Sequence, residues 1–245
     1  MRANCVGKLV GSLTLLIALG AEAGEGILDK VQLLRSESFR ACASVLLNYD
    51  PYSRKFNAGK SDEYATSLQQ MATVMDNSGL AALKEEYAAL SLAIRQLESN
   101  PRDVPVNAVN DILVLQERLV SAANAIYAKQ LTGQPPAKSQ LHELSIANGK
   151  MLLMYQIRPY GGMVSYPGIQ LNDEAMSALD AEIRTGLDAL RQSSADAALE
   201  ADAMQRNYDF IRPRIFDAQK QFVAHGVNHY LGKNIQRLDA LAGRL

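Results

Sequence analysis

The sequence predicts an all-α protein folded as an antiparallel helical bundle, and three observations carry that prediction. Leu, Ala, Gln, Glu and Arg, all good helix formers, dominate the chain. Trp is absent and aromatic residues make up only 6%, whereas sandwiches and barrels draw more heavily on aromatic and β-branched side chains. Apolar residues recur at spacings of three and four, and no stretch alternates convincingly with period two, so a sheet is not expected.

The first segment is expected to be a targeting signal rather than part of the bundle. Arg2 and Lys8 form a basic region, residues 9–19 are mostly apolar, and Ala21-Glu22-Ala23 supplies small residues for cleavage before Gly24. The apolar run is short for a membrane span, and Glu22 follows it closely. Residues 1–23 therefore read as a signal peptide, and the rest of the chain as a soluble periplasmic protein. Cys5 falls within the signal. Cys42 is then unpaired and reads as a small buried hydrophobe.

The helices follow in order. Ile27, Val31, Leu34, Cys42 and Val45 form one stripe, ended by Asp50-Pro51, and residues 52–60 read as a loop. Ser61 with Asp62 and Glu63 starts a helix carrying Leu68, Met71 and Met75, interrupted at residues 76–79. Leu80, Leu83, Tyr87, Leu90, Ile94 and Leu97 repeat at three and four, the seam of packed antiparallel helices, until Ser99-Asn100-Pro101. Val109, Ile112, Leu119 and Ile126 mark a helix ending by Gly133, and residues 134–139, with Pro135-Pro136, read as a linker.

The second half repeats the pattern. A helix from about Leu141 to Ile157 breaks at Pro159-Tyr160-Gly161-Gly162, and Asn172 caps another with Met176, Leu179, Ile183 and Leu187 on one face. A further helix spans 196–211, Pro213 marks a kink or boundary, and Val227, Leu231, Ile235 and Leu238 define the last. Equivalent features lie roughly 110 to 120 residues apart, Tyr87-x6-Ile94 answering to Tyr208-x6-Ile215. The expectation is a diverged tandem duplication, with helical repeats at 24–133 and 140–245 joined by the linker.

Little in the sequence carries catalytic chemistry. The net charge of −1 gives no basic face for nucleic acid. Gly161-Gly162 lacks the strand–loop–helix setting of a phosphate site, and nucleophile-elbow, zinc-protease and haem-attachment motifs are absent from the sequence. His225 and His229, four apart, share a helical face and are weak metal candidates. The carboxylates are spread along helix faces, so the expectation is a protein that is not an enzyme and uses no cofactor.

Residues 145–157, Ser-Ile-Ala-Asn-Gly-Lys-Met-Leu-Leu-Met-Tyr-Gln-Ile, resemble the signature of the N-terminal sensing module of type IV pilus methyl-accepting chemotaxis transducers, which is similar to the periplasmic domain of nitrate/nitrite sensor kinases. Ile146, Ala147, Leu153, Tyr155 and Ile157 carry the match, and residues 208–215 resemble the family's second conserved segment, with Tyr208 in place of Trp. A fainter first copy lies at residues 27–39, with Leu33-Leu34 answering to Leu152-Leu153. The resemblance implies a four-helix sensory module, here in tandem, in which arginines bind a planar anion where first helices face each other. Met151 and Gln156 stand at those arginine positions, leaving Lys150, Tyr155, Arg158, Arg35 and Arg40 as ligand-binding candidates for a small anion.

The functional expectation is a non-catalytic periplasmic sensory-type binding or accessory module that relays to a membrane-bound sensor or envelope partner, with a homo-oligomer as a further candidate assembly. The alternatives are a structural or protein-interaction helical protein with a decayed site, and a metal- or haem-binding bundle.

Overall fold

Helix α1, Leu15–Asn48, explains most of the architecture because other helices cover it on every side. The computed structural model describes residues 15–59, 62–217 and 222–245, with side chains from residue 26 onward. Arg2, Lys8 and Ser61 lie outside the described residues. The helix runs through the expected cleavage point before Gly24 without a break. The predicted stripe of Val31, Leu34, Cys42 and Val45 is fully buried, and so are Arg35 beside it and Gln32, Glu37, Arg40 and Asn48 around the rest of the helix.

After α1 comes a two-residue antiparallel ladder, β1 (Tyr49–Asp50) with β2 (Lys55–Phe56), of which β2 falls inside the segment expected as loop. Helix α2 is Glu63–Val74, and a 3-10 turn at Ser78–Leu83 leads into α3, Lys84–Ser99. Asn77 starts that turn by accepting from the Gly79 N–H. Helix α4 is Val106–Gln130. Helix α5, Pro136–Ile157, begins inside the predicted linker: Pro136 occupies the first helical positions, where a missing N–H costs nothing, so only residues 131–135 connect the halves. Helix α6 is Asp173–Arg191, capped by Asn172, and α7 is Ala195–Ile215, capped by Ser194. Pro213 is thus no boundary but lies within the last turn of α7. Helix α8 is Ala224–Ala242.

Among the described residues, eight helices pack as two four-helix sets with alternating directions. In the first, α1 packs on α2 and α4, and α3 on α4; in the second, α5 packs on α6 and α8, and α7 lies between α6 and α8. Each set has its own apolar core. Leu34, Leu90, Ile94 and Ile112 centre the first, and Ile183, Met204, Leu231 and Ile235 the second. Helix α5 feeds both, with Leu153 and Ile157 in one and Met151 and Tyr155 in the other. Burying each such aliphatic side chain contributes about 1.5–3 kcal/mol, so the shared helices join the two cores energetically.

Helices α1 and α5 run side by side in the same direction. Asp29 meets Lys138, Gln32 meets the His142 carbonyl, Arg35 meets Glu143, and the Leu46 carbonyl meets Tyr160, at sequence separations of 109, 110, 108 and 114. Gly149 lets the two backbones approach, since a Cβ there would lie 3.0 Å from Phe39. The same offset relates the elements. Helix α2 starts 110 residues before α6, α3 starts 111 before α7, and α4 ends 112 before α8. Tyr87, in the first turn of α3, and Tyr208, in the fourth turn of α7, do not occupy matching positions under that offset. Among the described residues no helix is long and apolar enough to cross a membrane.

Candidate functional site

The basic candidates fall at four separate places. Arg35 lies nearest the N-terminal end of the α1–α5 seam, 4% exposed. Its guanidinium donates to Glu143 at 2.9 Å, Asn124 at 2.7 Å and Gln32 at 2.9 Å, and lies 4.1 Å from the Tyr127 ring centroid. Tyr127 shares a 3.0 Å hydrogen bond with His142 Nδ1, while Lys138 and His142 Nε2 face Asp29 at 3.0 and 3.7 Å. Burial, helped by the Lys138 and Arg35 charges, pushes the His142 imidazole down to about 3, so it is neutral in the fold.

One turn further along α1, Arg40 donates to Glu37 at 2.6 Å, and both side chains are closed to solvent. The amide of Gln70 on α2, oriented by its bonding, donates to Glu37 at 3.0 and 2.9 Å, and that of Gln236 on α8 accepts from Arg40 at 3.1 Å. Arg40 Nε has no partner in this cage. Glu37 therefore occupies the position, relative to Arg40, that a bound carboxylate or oxyanion would need. Isolated charges are costly in such a place, so the pair must be made within the protein or with a ligand.

Tyr155 and Arg158 come together at the far end of α5, 5.9 Å apart from guanidinium to ring. They face the junction of α7 and α8 rather than α1. The Tyr155 hydroxyl accepts from the Val223 N–H at 2.9 Å, its ring stacks on Phe222, and Arg158 donates to the Ile215 carbonyl. Lys150 is half-buried on α5, next to Gly149, and among the described residues no hydrogen bond or ion pair joins it to either. The five candidates thus form no single pocket.

Tyr208 has a structural position. Its hydroxyl donates to Asp180 on α6 at 3.0 Å, and Arg212 makes a two-pronged contact with the same carboxylate at 2.7 and 2.9 Å. Burial alone would raise the Asp180 carboxyl, but the bonds from Arg212 and Tyr208 outweigh it and hold it below its ordinary range. His225 and His229 are both exposed on α8, and among the described residues no three His, Cys, Asp or Glu side chains are placed to hold a metal ion. Cys42 is buried, and desolvation raises its thiol far above the range in which a thiolate forms.

Two open clefts lie elsewhere among the described residues. One, of about 860 Å³, lies beside the β1–β2 hairpin between Asp50, Lys55, Glu98 and Arg102, and the other, of about 730 Å³, between Phe210, Pro213, Val223 and Val227. Neither contains a sequence-predicted site residue. The sequence reading missed the acidic partners Glu37 and Glu143. Glu37 was legible in principle, as an acid three residues before a base on a helix. Glu143 was not, because 108 residues separate it from Arg35.

Comparison of the chain with protein-family models, with curated proteins and with solved structures gives no match.

Proposed function

We propose that this chain is a non-catalytic, sensory-type accessory module of the periplasm, released from a signal peptide at residues 1–23, that acts through contact with an envelope partner and not through a freely exchanging ligand. The two helical sets are diverged copies of one four-helix unit, and the seam between α1 and α5 corresponds to the place where first helices face each other in the transducer family it resembles. The buried Glu37–Arg40 pair carries the reading. An anion entering the seam would have to displace a carboxylate already bonded to Arg40 and Gln70. Arg35 is occupied in the same way by Glu143, and Arg158 by a backbone carbonyl. A ligand-binding version of the module would need one of these bases unpaired.

Thermal-shift measurement of residues 24–245 against nitrate, sulfate, phosphate and small carboxylates separates the versions. The wild-type melting temperature is expected to stay constant. Glu37→Ala is expected to melt lower and to recover several degrees with an anion that fills the space beside Arg40. Saturable stabilisation of the wild-type chain by one solute would overturn the accessory reading in favour of a ligand sensor. Cross-linking in intact envelopes is expected to recover one stoichiometric partner.

A further inference from the structure

A second acidic group in the same seam has no basic partner. Asp239 sits in the last turn of α8, where the helix end carries partial negative charge. Its residue keeps some exposed surface, but the carboxyl points inward between three helices. It accepts from Gln32 Nε2 of α1 at 2.9 Å and faces the hydroxyls of Ser36 on α1 and Ser145 on α5. All of these groups are neutral, and of the two hydroxyls that of Ser36 also reaches the Leu33 carbonyl at 3.4 Å. The cations nearby are engaged elsewhere: Lys138 by Asp29 at 3.0 Å, Arg35 by Glu143 at 2.9 Å and Arg40 by Glu37 at 2.6 Å. His142, on α5, is neutral and presents only its backbone carbonyl to Gln32. On α8 itself, Arg237 and Arg244 pair with Glu200, and Lys233 is exposed. Among the described residues no ion pair reaches Asp239, and the charge of Glu37 opposes its ionisation.

We propose that Asp239 makes the seam acid-responsive: α8 is clasped against α1 and α5 when this carboxyl is protonated, and its C-terminal turns loosen when it ionises. The geometry supplies the reason. Ionisation places a negative charge among neutral donors, beside Glu37 and at the negative end of a helix, in a place water reaches poorly. Desolvation pushes the carboxyl up to about 6, outweighing the hydrogen bonds from Ser36, Gln32 and Ser145, which favour the ionised form. Because α8 belongs to one helical set and α1 to the other, the proton acts on the contact between them. This inference goes beyond the accessory reading and stands whether or not a partner exists.

Amide hydrogen exchange of the full 24–245 chain, corrected for intrinsic rates, tests it between pH 5 and 8. Protection of residues 236–242 is expected to fall roughly tenfold between pH 5 and 7, as pH rises through 6, and to level off above that. The opening equilibrium changes about tenfold for each pH unit over which the clasped carboxyl holds a proton that the loosened one releases. Protection of α3, remote from the seam, should stay level. Asp239→Asn, which keeps the shape without the charge, is expected to be protected at both pH extremes. A wild-type α8 equally protected at pH 5 and 8 would overturn the proposal, as would an Asn variant that keeps the wild-type dependence. Should that variant fold poorly, carbon NMR of the wild-type Asp239 carboxyl decides: a midpoint near 6 supports the clasp, and one at or below about 4.5 refutes it.

Discussion

Glu37 and Arg40 illustrate what a buried ion pair is worth. The two charges lose their hydration on folding and regain it only through each other and the Gln70 and Gln236 amides. Removing one partner leaves the other charge stranded, so Glu37→Ala is expected to cost about 3–5 kcal/mol in chemical denaturation, while Glu37→Met with Arg40→Met costs clearly less. His142 supplies a pH-dependent counterpart. Its imidazole stays neutral in the fold down to about 3 but protonates near 6.5 once unfolded. The unfolded chain therefore binds the extra proton in that window, and stability falls as pH drops through it. His142→Gln is expected to flatten this acid-side loss, read as a smaller difference in melting temperature between pH 7 and pH 4.5. At this scale the sequence was least legible. Arg35 and Arg40 read there as candidate ligands, and nothing local says that Glu143 neutralises the first or that both are closed to solvent. Charge burial is settled by neighbours far away along the chain.

At the scale of elements, the α1–α5 contact depends on a residue with no side chain. An added Cβ at Gly149 meets Phe39 at 3.0 Å, and a branched side chain meets it harder. Gly149→Val is expected to destabilise by about 1–3 kcal/mol through overpacking, with unchanged far-ultraviolet circular dichroism because the helices themselves persist. Similarly, Tyr208→Phe removes one of the bonds that tie the end of α7 to Asp180 and is expected to cost about 1 kcal/mol in urea unfolding. That tie and the Arg212 fork explain why α7 continues through Pro213 to Ile215 when its sequence suggests a stop: tertiary bonds hold the last turn in place. Helix positions were otherwise legible, since the three-and-four spacing of apolar residues records the buried face directly. It failed to record that α1 and α5 are buried on their other faces too. Polar residues there pair with each other, and so read as surface.

For the whole molecule, the two cores share α5, and α8 of the second set also packs on α1 of the first. Neither set can shed the other without exposing a first helix. Scanning calorimetry of residues 24–245 is therefore expected to show one cooperative transition; two resolved transitions would mean that the seam is weaker than its burial suggests. Its position should depend only mildly on pH. Asp239 favours the fold as pH falls through 6, because the folded carboxyl binds a proton that the unfolded one releases until about 3.8. His142 acts in the opposite sense over an overlapping range. The order of the helices was visible in the sequence because apolar periodicity marks each buried face. The finer register was not, because Tyr87 and Tyr208 share a spacing motif while sitting at different turns of their helices.

The parallel course of α1 and α5 has a topological consequence. Helix α8 runs against both, with Asp239 beside Gln32, so the turns before Gln32 and after Asp239 head for the same pole. The 131–135 connection into α5 ends there as well. Cutting the chain in that connection and linking Leu245 to Gly26 through a few flexible residues would exchange the order of the two sets yet keep every seam contact. Such a circular permutant is expected to fold with the same near-native melting behaviour. The opposite pole, with the hairpin and the 158–172 crossover, would meanwhile stay free of any chain end or attached tether.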